Sequence, residues 1–212
     1  MRTGVVSGEA LISSLFLARP GAKSLATDGT FDMWAGLIKR YWQVSVFKET
    51  PANTPYSFLL LGFISFFFFL LIVVQWMIAD TDNQLTLNMS LLAAGALLAS
   101  YGLYTAALLF AYRMPSRIVQ TLTCLLSGHT IVHLFAFPLL LVTPWLVDTT
   151  IIQPLGLFIG VMYLILTLML TIWQFMVTVH IYKHALGVDS LPAVLASLGL
   201  LACNILIVSF WR

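Results

Sequence analysis

The sequence predicts an all-α integral membrane protein, a bundle of five transmembrane helices preceded by an N-terminal amphipathic helix at the membrane interface. Of its 212 residues, 60% are hydrophobic and only 8% are charged, whereas a soluble domain carries roughly 25% charged residues. The mean hydropathy is +0.99, and five stretches are apolar over the length of about 20 residues that a helix needs to cross a bilayer. Too few charged side chains are present to cover a water-soluble globule.

The chain is expected to consist of a cytoplasmic leader, residues 1–55, and one transmembrane domain, residues 56–211. The apolar part of the leader after Arg2 is interrupted by Glu9 and is followed by no clear small-residue cleavage site, so a secretory signal peptide is not predicted. Pro51 and Pro55 then end the leader in a short linker before the first span.

Residues 31–47 of the leader have the pattern of an amphipathic helix. Aromatic side chains recur along one side at helical spacing and basic side chains flank them, which is typical of a helix in the cytoplasmic interface. A helix packed on the ends of the bundle is the alternative interpretation. The residues that we expect at the interface are Trp34, Lys39, Arg40, Tyr41 and Trp42.

The transmembrane domain contains five predicted spans, about 56–79, 85–112, 116–138, 155–182 and 191–211. None of them contains Asp, Glu, Lys or Arg between its polar ends. Between the third and fourth spans, Pro138, Pro144 and Asp148 interrupt an apolar stretch. We therefore expect the segment from 139 to 154 to form a turn with a short interfacial or re-entrant piece.

Charge asymmetry between the loops predicts the orientation. If the N-terminus is cytoplasmic, the segments 1–55, 113–117 and 183–190 lie inside and hold nine of the ten Lys and Arg residues. Basic residues concentrate on the cytoplasmic side of membrane proteins. The prediction is a cytoplasmic N-terminus and a C-terminus on the opposite side.

Four histidines form two pairs, each spaced by four residues so that both members share a helix face. His129 and His133 are predicted deep in the third span, about 18 and 24 Å from Arg117 at 1.5 Å per residue. His180 is only about 5 Å from Lys183 by the same rise, so the two pairs are too far apart to share one metal. His180 and His184 are interpreted as interfacial residues near lipid headgroups.

His129 and His133 allow three interpretations. The plainest is hydrogen bonding between helices. The second is a polar cavity that these histidines line together with Gln174 and Asn204. The third is a haem or transition-metal site that uses one of the two histidines with a ligand from a partner; otherwise no cofactor and no metal site are predicted.

Small residues at four-residue spacing predict two close-packing helix faces. Such faces allow backbones to approach, within one chain or between chains. The residues concerned are Gly95, Ala99, Gly102, Ala106, Gly156 and Gly160.

Several function classes are disfavoured. The absence of Asp, Glu, Lys and Arg within the spans disfavours an ion pump or a proton-coupled carrier. No nucleophile elbow, phosphate-binding glycine loop, HExxH or paired carboxylate is present, so we do not expect an enzyme. Ten dispersed basic residues do not predict nucleic-acid binding.

The sequence resembles the Yip family of five-span membrane proteins, named for interaction with Ypt/Rab GTPases. The likeness covers about 37–211 and includes the aromatic-basic helix 37–48, the proline-containing end of the third span at 133–140, and the Ile172-Trp173 span that leads through Gly187 into the last helix. The resemblance implies a five-helix bundle with a cytosolic N-terminus and roles in membrane shaping through partner proteins. The short leader makes the chain more similar to the bacterial members.

These observations predict a non-enzymatic scaffold or accessory subunit in a bacterial inner membrane, acting through helix packing and lipid organisation. Its expected partners are membrane lipids and other membrane proteins, in a hetero-complex or homo-oligomer. The first alternative is a transporter or lipid-handling protein that uses the polar cavity. The second is the haem- or metal-binding subunit.

Overall fold

The computed structural model describes residues 35–80, 86–148 and 154–210. By its internal contacts the chain divides into a unit Met1–Lys39 and a unit Arg40–Arg212. Of the first unit only residues 35–39 are described, and they begin a helix. The second unit contains the helical bundle, and the sites below lie in it.

The described residues form helices and connecting turns, without a strand. A helix that we call α1 spans residues 35–45 and is followed by a 3₁₀ turn, Pro51–Asn53. Five longer helices follow, and each is long and apolar enough to cross a membrane. They are α2 (Phe58–Ala79), α3 (Leu87–Ala111), α4 (Ile118–Asp148), α5 (Pro154–Leu186) and α6 (Ser190–Phe210). The fold is therefore that of a polytopic helical membrane protein, as the composition predicts.

Local signals explain where the spans begin and end. The Ser57 hydroxyl accepts from the backbone N–H of Leu60 at 3.3 Å at the start of α2, and Thr86 caps α3 in the same way. Side-chain caps of this kind satisfy donors that have no partner within the helix. At the end of α5, Gly187 has a φ of +63°, a left-handed conformation that glycine adopts without steric cost.

The third membrane helix differs from the prediction. Instead of ending at Pro138, α4 continues through Pro138 and Pro144 to Asp148, so the re-entrant piece predicted for 139–148 is wrong. Proline lacks the N–H for a helical hydrogen bond, but membrane helices tolerate it because neighbouring helices, Ser/Thr side chains and local adjustments of the helix satisfy the freed backbone groups. Residues 149–153 lie outside the described residues. The other helices agree with the predicted spans to within four residues at each end.

Helix α1 contributes buried residues to the second unit. Tyr41, Val44 and Ser45 are buried, and the Trp42 ring lies 5.9 Å from that of Phe135 on α4. It also lies 6.3 Å from the ring of Trp173 on α5. This part of α1 therefore packs on α4 and α5 well inside their lengths, rather than on the ends of the bundle. Trp34 lies outside the described residues, and the interfacial placement of the helix stays a prediction.

Polar contacts also join the segment after α1 and the ends of the neighbouring helices within the second unit. Gln120 on α4 donates to the carbonyls of Ala52 at 3.0 Å and Thr54 at 2.6 Å. Arg117 donates to the carbonyls of His184 at 3.3 Å and Ala185 at 3.0 Å. The Arg117 hydrogen bonds satisfy backbone carbonyls at the end of α5, which have no partner within the helix. These bonds join the linker, α4 and α5 at the end of the bundle that carries the basic loops.

Two glycines let neighbouring helices approach closely. A Cβ added at Gly128 on α4 would meet Cγ1 of Val177 on α5 at 2.8 Å. A Cβ at Gly199 on α6 would collide with the Tyr104 side chain of α3. By contrast, a Cβ at Gly102 or Gly160 would meet nothing within 4 Å, and at Gly95 it would reach only ordinary contact with Phe69. The closest approaches therefore occur outside the two small-residue faces that the spacing predicts.

The remaining residues of those faces do not form a continuous buried strip. Ala99 is exposed and Ala106 is half-buried, while Gly156 is buried. Larger polar residues also connect α3 to its neighbours. Thr105 on α3 shares a hydrogen bond of 2.9 Å with the Tyr182 hydroxyl of α5, and Tyr104 donates to the Ala196 carbonyl of α6 at 2.7 Å.

Candidate functional site

A cavity of about 330 Å³ lies inside the bundle, and all five spans contribute to its wall. His129, His133, Gln174 and Asn204, the four residues predicted to line a polar cavity, all line it. The structure thus brings together side chains from α4, α5 and α6 that are up to 75 positions apart in the sequence. This convergence was one of three open interpretations of the histidines.

His129 is the centre of a hydrogen-bonded cluster and is buried. Its Nδ1 lies 2.7 Å from the Tyr101 hydroxyl of α3 and 2.9 Å from the Gln174 side-chain nitrogen of α5. Its Nε2 lies 2.9 Å from the Thr178 hydroxyl of α5. Both ring nitrogens therefore have partners within the bundle, which is the interhelical bonding expected of polar groups at membrane depth.

His133 has a different environment one helical turn further along α4. Its Nδ1 lies 2.8 Å from the Gln75 side-chain oxygen of α2, and the Gln75 amide nitrogen donates to the His133 backbone carbonyl at 2.8 Å. The Phe68 ring stands edge-on to the imidazole at 5.8 Å. The second ring nitrogen, Nε2, takes part in no hydrogen bond among the described residues.

Asn204 completes the polar lining on α6. The Ser100 hydroxyl of α3 donates to its side-chain oxygen at 2.9 Å. The other described residues of the cavity wall are mostly apolar, and none of them is Asp, Glu, Lys or Arg. The apolar lining residues are Ile72, Trp76, Leu97, Phe175, Leu200, Leu201, Ile205 and Val208.

The cavity is open along part of its wall. Thr171 on α5 and Leu201 and Ile205 on α6 line it and are also exposed on the bundle surface. The cavity wall therefore includes side chains of α5 and α6 that reach the outer surface of the bundle.

A second cavity of about 150 Å³ lies between α4 and α5. It shares His133, Thr171 and Gln174 with the larger one. Tyr163 also lines it, and its hydroxyl lies 3.1 Å from that of Thr143. His133 is therefore the histidine that lines both cavities.

Sequence reasoning missed Tyr101, Thr178 and Gln75. Gln75 carried a usable signal, because it is an amide in a span that otherwise has no strongly polar side chain. Tyr101 and Thr105 lie four residues apart on α3, so both lie on the same face of that helix. A tyrosine in an apolar span is so common that its hydroxyl gave no indication of its partner.

The other predicted residues lie away from the cavity. His180 Nε2 lies 2.9 Å from the Glu49 carbonyl, and the His180 and His184 rings are 4.5 Å apart. Lys39, on the first unit, and Arg40 are exposed. The His180 pair thus contacts the segment after α1, separately from the His129 pair; its proximity to headgroups stays a prediction.

The side chains that line the cavity can form hydrogen bonds, but few of them are metal ligands. Within 35–80, 86–148 and 154–210, no group of three or more His, Cys, Asp or Glu side chains is placed to hold a metal ion. Cys124, the cysteine nearest to His129 in sequence, is buried and lies 3.2 Å from the Thr54 hydroxyl. The haem or metal interpretation stays a prediction.

Comparisons with protein-family models, curated proteins and solved structures give no match. The described lining of the cavity is a hydrogen-bonding cluster without charged side chains, at one side of an otherwise apolar, partly open space.

Proposed function

We propose that this protein is a non-enzymatic lipid-handling protein, which binds a small amphipathic molecule in the cavity of the bundle. The observation that carries the proposal is the convergence of His129, His133, Gln174 and Asn204 on one cavity with an otherwise apolar wall. Its volume of about 330 Å³ falls at the lower end of the range of roughly 300–1,000 Å³ typical of small-molecule sites.

Charge and access favour a lipid-like ligand over a water-soluble one. The described residues that line the cavity include no charged side chain, so an ionic solute would be transferred among them without a counter-charge, at a high cost in free energy. Thr171, Leu201 and Ile205 line the cavity and are exposed on the bundle surface, which would give a molecule in the bilayer a lateral path to it. A neutral molecule with an apolar body matches both features.

The test uses two tryptophan substitutions on neighbouring positions of α6. Ile205 lines the cavity, whereas Leu206 is exposed and does not line it. Purified protein in liposomes is irradiated with a photoactivatable, diazirine-bearing fatty alcohol, and labelled peptides are mapped by mass spectrometry. We expect the probe to label the part of α6 that lines the cavity. Ile205→Trp should abolish this labelling, and Leu206→Trp should preserve it. Equal labelling of wild type and Ile205→Trp would contradict the proposal.

A second candidate function is the scaffold or accessory subunit, which the exposure of α5 favours. Few residues in the apolar part of α5 are buried in the bundle, and its outward side chains include Leu164, Leu168 and Met169. A partner helix on this face would supply the packing that membrane helices otherwise find within their own bundle. The Yip resemblance supports the same idea. Recovery of only a partner-free monomer after mild detergent extraction from the native membrane would count against it.

A further inference from the structure

The orientation of the Gln75 side chain determines which nitrogen of His133 carries the hydrogen. A backbone carbonyl only accepts hydrogen bonds, so the Gln75 atom 2.8 Å from the His133 carbonyl is the amide nitrogen. The Gln75 oxygen then faces His133 Nδ1 at 2.8 Å. Since an amide oxygen only accepts, Nδ1 carries the hydrogen. A neutral imidazole has a single N–H, so Nε2 of His133 carries a lone pair.

His129 has the opposite arrangement. The Thr178 hydroxyl donates to the Gln174 carbonyl at 3.0 Å, and its oxygen is left to accept from His129 Nε2 at 2.9 Å. His129 Nδ1 in turn accepts from the Tyr101 hydroxyl at 2.7 Å. Both nitrogens of His129 are therefore used within the protein.

His133 Nε2 is consequently the free acceptor of the pair. Among the described residues no hydrogen bond uses this atom, and the His133 side chain is half-buried. His133 lines both the larger and the smaller cavity. A ligand in either space would therefore lie against this imidazole.

We infer that the ligand is a neutral, hydroxyl-headed amphiphile whose O–H donates a hydrogen bond to His133 Nε2. The inference rests on the proposed function and adds the chemistry of the head group. His133 Nε2 can accept a hydrogen bond, and no described residue donates one to it. A hydroxyl can supply that donor, whereas a carbonyl or ether oxygen can only accept. A phosphate or ammonium head group would find no counter-charge among the described lining residues, so a neutral head group fits them better. The alkyl or ring body then packs on the apolar wall near Ile72 and Leu201.

The experiment compares two probes that differ only in the donor. Photoactivatable, diazirine-bearing dodecanol and its methyl ether are added at equal concentration to liposomes that contain the full-length protein. Labelled peptides are quantified after irradiation. We expect the alcohol to label the cavity part of α6 about tenfold more than the ether, the ratio that corresponds to one buried hydrogen bond. In His133→Phe the ratio should fall to about one.

The outcomes separate this inference from the proposed function. Equal labelling of the cavity by both probes in the wild type would overturn the inference and leave the proposed function standing. Labelling of the cavity by neither probe would overturn both. The wild-type comparison requires no variant, so a His133→Phe protein that fails to fold does not remove the test.

Discussion

The hydroxyl of Tyr104 occupies the space that a Cβ atom would need at Gly199, and it donates a hydrogen bond of 2.7 Å to the carbonyl of Ala196. Tyr104 lies on α3, and the other two residues lie on α6. The missing side chain of one helix thus allows a polar contact with the backbone of another. Close backbone approach of this kind is a general source of stability between membrane helices.

This contact makes Gly199→Ala a destabilising substitution. The new methyl group would force the Tyr104 ring to move and would break its bond to Ala196, at a cost of about 1–3 kcal/mol. Thermal unfolding in a mild detergent measures the loss. Gly102→Ala is the matched control, because a Cβ there meets nothing within 4 Å and alanine favours a helix by about 0.5–1 kcal/mol over glycine. Equal stability of the two variants would refute the assignment.

The two cavity histidines should have opposite tautomers. We expect the hydrogen on Nε2 of His129 and on Nδ1 of His133, because Thr178 and Gln75 accept from those atoms. Nuclear magnetic resonance of protein labelled with ¹⁵N-histidine distinguishes protonated from non-protonated ring nitrogens. Gln75→Leu removes the acceptor at Nδ1 and should release the tautomer of His133 while leaving that of His129 unchanged. The same tautomer at both positions in the wild type would be inconsistent with the hydrogen-bond pattern.

Tyr41 should be replaceable by phenylalanine with a gain in stability. Its hydroxyl is buried without a hydrogen-bond partner in the described chain, and such a group costs about 1–3 kcal/mol. We therefore expect Tyr41→Phe to raise the thermal unfolding temperature in detergent. A lowered temperature would reveal a partner for the hydroxyl. Tyr104→Phe, which loses a hydrogen bond, is the control and should be destabilising.

The buried Tyr41 phenol also predicts that the stability of the folded protein depends on pH in the alkaline range. Burial, with a smaller contribution from Cys124, raises the pKa of the Tyr41 phenol above its ordinary value. The unfolded chain therefore loses this proton first, and stability falls as the pH rises above about 10, the pKa of an unperturbed tyrosine. The stability difference between the wild type and Tyr41→Phe should grow over that range. A constant difference would contradict the raised pKa.

The orientation can be tested with reporter fusions in a bacterial host. Alkaline phosphatase fused after Arg212 should be active, because that enzyme matures only outside the cytoplasm. A fluorescent protein fused after Asp189, in the loop before α6, should be fluorescent, because it matures inside. The reverse pattern at both positions would show that the excess of Lys and Arg in the segments 1–55, 113–117 and 183–190 does not set the topology of this chain.

Much of the fold follows from the sequence because membrane insertion depends on composition along the chain. A run of about 20 apolar residues without charge has to form a helix in lipid, since its backbone groups have no other partners. That rule predicts five spans and misses only the extent of α4, where Pro138 and Pro144 resemble helix ends. In lipid those prolines remove single hydrogen bonds without opening the helix to water.

The sequence predicts part of the polar cluster that lines the cavity. His129, His133, Gln174 and Asn204 stand out because polar side chains are rare in such spans, and the structure places all four on one cavity. Gln75 and Tyr101 were missed, although they orient the two histidines. Nothing in the local sequence of α2 or α3 indicates which residue of α4 each will face, because the rotation of one helix against another depends on packing along its whole length.

The sequence by itself determined that the chain has five segments apolar and long enough to cross a membrane, since transfer of each segment into lipid depends on that segment's own side chains. Only the tertiary structure decided which glycines are contact points, which imidazole nitrogens have partners, and which polar side chains share a cavity. Gly128 and Gly199 differ from Gly102 and Gly160 solely in what lies opposite them. Those properties arise from distances between helices, which no single segment encodes.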